Sequence, residues 1–228
     1  MFQANIVIDT FSKGGPVMWP ILATFSLSLT VTIERIIWWS KTKLRSSPEK
    51  LENIYTALEN GNVKQAAALA RDSEDPILKV IWHGLNHHHT SLQNALQVSA
   101  GIQIGQAGRF LTVLDTIVTL APLLGLLGTV TGIMNAFHFV GNEELQAIKV
   151  SGGIAEALIA TSAGLAIAIF TLLPYNYFSA RVARFTFDLQ TAATNIEVLL
   201  DANKHAAKNS NLSSVPAPTH EAPFSVAA

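Results

Sequence analysis

The chain has no cysteine, which excludes disulfides, thiolate nucleophiles and cysteine-ligated metals. Charge is scarce as well. Asp, Glu, Lys and Arg make up only 14% of the 228 residues, where soluble domains carry about 25%. A net charge of −1 provides no basic surface for nucleic acid. Met1–Asp9 holds no lysine or arginine, so the basic start of a secretory signal is missing and the first apolar segment is expected to stay in the protein.

What the chain has instead is long uncharged runs and a positive mean hydropathy. Val17–Ile33 carries no charge, and after Glu34-Arg35 the apolar run resumes through Ile36-Ile37-Trp38-Trp39. Thr116–Val140 and Ala157–Ala180 are likewise free of formal charge. A helix rising ~1.5 Å per residue needs roughly 20 apolar residues to cross ~30 Å of hydrocarbon. These runs predict an all-α integral membrane protein with three transmembrane helices over residues 16–39, 110–140 and 154–180. Trp19 and Trp38-Trp39 fit interfacial belts, and Arg35, near one end, is expected to snorkel.

Charge bias orients the spans. Lys41, Lys43 and Arg45 follow the first span while only Lys13 precedes it, and Arg181 and Arg184 close the third. The N-terminus is therefore expected outside and the C-terminus inside. Residues 1–15 form a short periplasmic segment with Phe2, Ile6 and Phe11 as an apolar face, and residues 40–109 a cytoplasmic helical domain. Residues 141–153, with Glu143, Glu144 and Lys149, form a periplasmic loop. Residues 181–203 extend the last helix, and the Ser/Pro/Ala/Asn-rich 204–228 reads as a disordered tail.

Within the cytoplasmic domain, Ser46-Ser47-Pro48-Glu49 has capping-box spacing, and Gly61 is a helix stop. Val63 begins a second helix and Asp75-Pro76 a third, while Ser91 caps a helix expected to run through Arg109 into the membrane. His83 and His87-His88-His89 do not make a metal site, because adjacent histidines on a helix point in different directions and no second cluster lies nearby.

Small residues recur at helical spacing in the second span (Ala121, Gly125, Gly128, Gly132, Ala136), with Thr129 counted in the stripe. In the third span Ala157, Thr161, Gly164, Ala168 and Thr171 repeat the pattern. Membrane helices associate through such close backbone approach, so Gly125, Gly128, Gly132, Ala157, Gly164 and Ala168 are assigned to helix packing. Thr129 lies ~16 Å of helix inward from Val140 and Thr161 ~14 Å inward from Gly152, a similar depth. Two readings of these hydroxyls are open: a polar path, or bonds to carbonyls of their own helix. Glu156 sits ~7 Å outward of Thr161 and need not share its face. As an intramembrane carboxylate it is a candidate protonatable group, with a headgroup-level acid as the alternative. No chain of carboxylates crosses the bilayer, so this polypeptide alone holds no proton relay. No nucleophile–base pair or ligand set appears in the spans either; an enzyme is not expected, nor a cofactor.

Leu126-Leu127-Gly128-Thr129-Val130, Gly132-Ile133-Met134, Gly153-Ile154-Ala155-Glu156-Ala157-Leu158-Ile159-Ala160-Thr161 and Gly164-Leu165 resemble the paired motifs of the ExbB/TolQ branch of the MotA/TolQ/ExbB proton-channel proteins. The similarity extends to Gly14-Gly15-Pro16-Val17-Met18-Trp19-Pro20, Glu34-Arg35, Leu58-Glu59-Asn60-Gly61-Asn62-Val63 and Asp75-Pro76-Ile77-Leu78, over roughly residues 12–200. The resemblance implies a homopentamer of three-span subunits in the bacterial inner membrane. Its central pore would hold the single transmembrane helices of an ExbD- or TolR-like partner, whose aspartate carries the coupling protons. Thr129, Thr161 and Glu156 would line that aspartate's surroundings, and TonB- or TolA-like proteins would take up the work. One departure stands out: where the family usually has proline after Ala-Ile, Ala168-Ile169 is followed by Phe170, and Pro174 comes one turn later. A proline kink would then move ~6 Å toward the cytoplasm.

Overall fold

The computed structural model describes residues 10–138 and 146–213, and all its regular elements there are helices. They run α1 (Met18–Arg45), α2 (Pro48–Glu59), α3 (Val63–Ala70), α4 (Pro76–Asn86), α5 (His88–Ala107), α6 (Leu111–Phe137) and α7 (Gln146–Ser213). Three stretches are long and apolar enough to cross a membrane: Met18–Arg45, Ser91–Phe137 and Val150–Asn203. Two compact units form, one from Met1–Arg45 with Ile102–Phe187 and the other from Ser46–Gly101 with Asp188–Ala228.

The first unit is a three-helix bundle whose register follows from its contacts. A Cβ on Gly15, just before α1, would strike Glu156 of α7. Farther along, Ser28 meets Thr171 and Trp39 meets Phe185, so α1 and α7 run parallel. On α6, Gly132 faces Gly153 and Ala157, while Gly125 faces Thr161 and Gly164, so α6 runs antiparallel to α7. This up-down-up order is the one three consecutive spans require. Leu123, Leu126, Val130 and Ile133 on α6 and Ile154, Leu158, Leu165 and Ile169 on α7 stay exposed. So broad an apolar surface belongs in lipid or against other chains, not in water.

Sequence expectations and structure part at several boundaries. The expected continuous helix through Arg109 is broken at Gly108–Phe110, with Phe110 left-handed at φ 65°. Arg35 does not snorkel. Only 1% exposed, it donates to the carbonyls of Gln106 (3.0 Å) and Ala107 (3.1 Å) and pairs with Glu34. Those carbonyls lie in the last turn of α5, where Gln106 also accepts the Arg109 N–H at 3.4 Å, and the guanidinium caps both while Trp38 and Phe110 flank it at 5.2 and 5.9 Å. The expected outer loop is helical from Gln146 onward, and α7 continues through Ser213, past the expected start of the tail at residue 204. Pro174 lies inside that helix without interrupting it, as Pro122 does in α6. Phe2 and Ile6 fall outside the described residues. Phe11 packs on the cluster of Val17, Met18, Ile21 and Ala160.

In the second unit, Gly61 stops α2 at φ +74°. Asn62 and Asp75 cap α3 and α4, their Oδ1 atoms accepting from Gln65 N–H (3.1 Å) and Ile77 N–H (2.9 Å). The Ser46–Glu49 capping box does not form: Ser47 precedes α2 without a side-chain cap, and its N–H donates to Asp75 Oδ2 at 2.8 Å instead. Ser91 interrupts α5 at φ −166°, ψ 95°, and its Oγ accepts from Asn94 N–H at 3.4 Å. Leu189, Ala192, Ile196 and Leu200 bury one face of the α7 extension, and Asn203 donates to the Leu58 carbonyl at 2.5 Å.

Candidate functional site: the α6–α7 contact and Glu156

The spacing of small residues lets two backbones touch. A Cβ on Gly164 would lie 2.5 Å from the Ala121 carbonyl oxygen and 3.0 Å from Gly125 Cα. On Gly125 it would lie 3.0 Å from Thr161 Cα, and on Gly132 it would lie 2.9 Å from the Gly153 carbonyl oxygen. Gly128 faces Ala160 in the same way. A larger side chain at Gly125, Gly132 or Gly164 meets backbone, and one at Gly128 meets the Ala160 Cβ; neither can rotate aside. Ala157 (2% exposed) and Ala168 (7%) are buried as well.

Thr161 sits at this contact. Its Oγ1 donates across to the Gly125 carbonyl at 2.8 Å, tying α7 to α6. Thr129 stands beside it instead of within it, because Gly128 occupies the facing position. Its Oγ1 donates to Leu126 in its own helix at 2.7 Å. The register places Thr129 within about one turn of Thr161 in depth. Both hydroxyl hydrogens are engaged by carbonyls, so what each oxygen still has to give is lone pairs. The pair is suited to accept a hydrogen bond from a proton-bearing group and not to donate one.

Glu156 belongs to a different face. With Ile159, Ala163, Ile167 and Thr171 it lies on the stripe of α7 turned toward α1, its carboxylate against Gly15. On that same stripe Ser28 Oγ and Thr171 Oγ1 share a hydrogen bond of 2.8 Å, both side chains essentially fully buried. Thus Thr161 lies in the α6–α7 contact with Thr129 beside it, while Glu156 is turned toward α1. Gly15, Ser28 and the buried Arg35 were not singled out from sequence as site residues. The signal for Gly15 was present, in a Gly-Gly-Pro turn placed directly before a span.

Among the described residues no group of three His, Asp or Glu side chains is placed to hold a metal ion. His87 Nδ1 bonds the His83 carbonyl at 2.9 Å, with the two rings stacked. The His88 and His89 side chains fall outside the described residues.

Residues 70–191, which include both paired motifs, match the MotA/TolQ/ExbB proton channel family. The chain belongs to that family. A Synechocystis protein described as biopolymer transport protein ExbB-like 1 is 34% identical over 182 residues, 76% of this chain and 71% of the relative. ExbB-like 3 of the same organism is 33% identical over 193 residues, covering 82% of this chain and 91% of the relative. The Tol-Pal system protein TolQ of Pseudomonas aeruginosa is 39% identical over 95 residues, 41% of each chain. Family membership makes this a membrane protein of a proton-channel lineage.

Proposed function

We propose that the chain is the multi-span subunit of a proton-driven motor in the bacterial inner membrane, ExbB-like in its work. It assembles as a pentamer with the N-terminus outside and the C-terminus inside, and encloses the transmembrane helices of an ExbD- or TolR-like partner. A carboxylic acid on that partner carries the proton. It is neither an enzyme nor a cofactor protein, and the coupling ion is the proton. Energy released by proton flow passes to a TonB-like protein that drives uptake across the outer membrane.

One observation carries the reading. Two threonine oxygens, their hydrogens already engaged, stand at similar depth beside a close backbone contact in a helix pair that also exposes a broad apolar surface. Such oxygens serve a proton carrier that comes from elsewhere, and this chain holds no carboxylate chain of its own. Glu156, near the outer end, tunes access to that path.

Native mass spectrometry of the chain co-purified with a candidate ExbD-like protein tests the assembly: five copies plus partner mass support it, and a stable monomer refutes it. Thr129→Val and Thr161→Val test the path. Energised uptake should fall while the pentamer persists.

A second reading is favoured by the cross-helix bond itself. If Thr161 only fastens α7 to Gly125, the subunit is a non-conducting scaffold, and Thr161→Val then loosens assembly and uptake together. A TolQ-like role, with a TolA-like protein as the recipient, differs only in the partner and is resolved by which single-span protein co-purifies.

A further inference from the structure

We infer that Gly15 is a positioning residue for Glu156: the glycine turn ahead of α1 holds the carboxyl group on the α1 side of α7. Gly15 has φ +73°, a backbone conformation that side chains rarely adopt. A Cβ there would fall on Oε1 of Glu156 and lie 2.5 Å from Cδ and 3.0 Å from Cγ. The acid therefore fills the space that a side chain at position 15 would need. Sequence adds the reason the turn is stiff: Pro16 fixes the next φ, and the Met18 and Trp19 N–H groups close it onto the Gly15 and Pro16 carbonyls at 3.2 and 3.3 Å. The start of α1 is thus set beside the carboxyl group.

Gly14 supplies the contrast. A Cβ there would meet the side chains of Met18, at 2.5 Å from Cγ and 2.7 Å from Sδ, and Ile159, at 3.1 Å. The methionine is flexible and can move aside, and Glu156 is not among the three nearest atoms. The two adjacent glycines therefore have separate duties, and only the second shapes the acid's surroundings. This placement bears on transport only through the role proposed for Glu156 above, whereas chemistry at the carboxyl group reads it independently.

The test uses the full chain in membranes, treated with a lipid-soluble carbodiimide, with modification of the Glu156 peptide followed by mass spectrometry. Gly15→Ala should raise the rate of Glu156 modification severalfold by forcing the carboxyl group out of the turn, and Gly14→Ala should leave it at the wild-type rate. In a Glu156→Asp background, where the carboxyl group is drawn back by one methylene, Gly15→Ala should change modification of residue 156 less than it does with glutamate. Backbone strain alone would persist in that background, so a Gly15→Ala effect undiminished there overturns the inference. An unchanged rate in Gly15→Ala also overturns it. If Gly15→Ala fails to accumulate, accumulation of the double variant supports the inference and failure of both overturns it. A shifted rate with normal energised uptake upholds the positioning and refutes the transport role proposed for Glu156.

Discussion

Replacing Gly164 with alanine adds one methyl group where α7 comes closest to the backbone of α6. The new carbon would lie 2.5 Å from the Ala121 carbonyl oxygen, 3.0 Å from Gly125 Cα and 3.1 Å from Gly125 N. Relieving it moves the helices apart by about 1 Å, given favourable separations of ~3.5 Å or more. Overpacking of this kind costs about 1–3 kcal/mol. The same displacement stretches the Thr161–Gly125 bond, 2.8 Å at rest, and interhelical bonds in membranes contribute about 0.6 kcal/mol, reaching ~1.7. Together the loss should be about 2–4 kcal/mol. Reversible unfolding in mixed micelles, followed by tryptophan fluorescence, measures it. Gly101 and Gly105, both in α5, provide the control, since a Cβ at either meets nothing within 4 Å. Alanine there should be neutral or stabilising by up to about 1 kcal/mol through helix propensity. If Gly164→Ala is no less stable than Gly101→Ala, the helices are not in backbone contact and the account of the candidate site fails.

Removing the Arg35 guanidinium in Arg35→Leu takes a partner from the carbonyls of Gln106 and Ala107, while Glu34, with 40% of its side chain exposed, can turn to solvent. The expected loss is about 1–3 kcal/mol, and Arg35→Lys should recover only part of it because the planar fork is gone; thermal unfolding in nanodiscs reads both. Across the buried Ser28–Thr171 bond, a Ser28→Ala and Thr171→Val double-mutant cycle should return a coupling of about 0.6–1.7 kcal/mol. In the second unit, burial pushes the Tyr55 phenol above its ordinary value, against the opposing hydrogen bond with Asn195. The folded state therefore favours the neutral phenol. That contribution is intact below the unfolded pKa near ~10 and is lost as pH rises past it. An alkaline titration of helicity should show unfolding begin at higher pH in Tyr55→Phe than in the wild type.

Spans, stripes and caps are legible because each depends on residues near one another in the chain. Gly61, Asn62 and Asp75 act within a turn of their own helices, and their roles can be read in place. The stripe on α6 was legible as a period, yet Gly128 and not Thr129 faces α7, because helical phase alone leaves adjacent residues nearly interchangeable. Arg35 shows a harder limit. A basic residue near a span end reads as a snorkelling anchor, and only the α5–α6 break, far along the chain, converts it into a buried cap. Glu156 was legible as an unusual intramembrane acid, but its face was not, since that depends on the register of α7 against a glycine turn at the other end of the sequence. The outer loop and the tail were read from composition, which does not register that α7 begins at Gln146 and ends at Ser213.

The buried arginine has a consequence for how the protein is made. Arg35 and Gln106, whose carbonyl it caps, are 71 residues apart. At ~5–20 residues per second, about 4–14 s of synthesis separate them. Throughout that interval the carbonyls of Gln106 and Ala107 do not yet exist, and of the partners in the folded chain the guanidinium has only the neighbouring Glu34. A charge on a lone helix in hydrocarbon resists full insertion. The first span therefore reaches its final depth only after the end of α5 has emerged to receive its guanidinium.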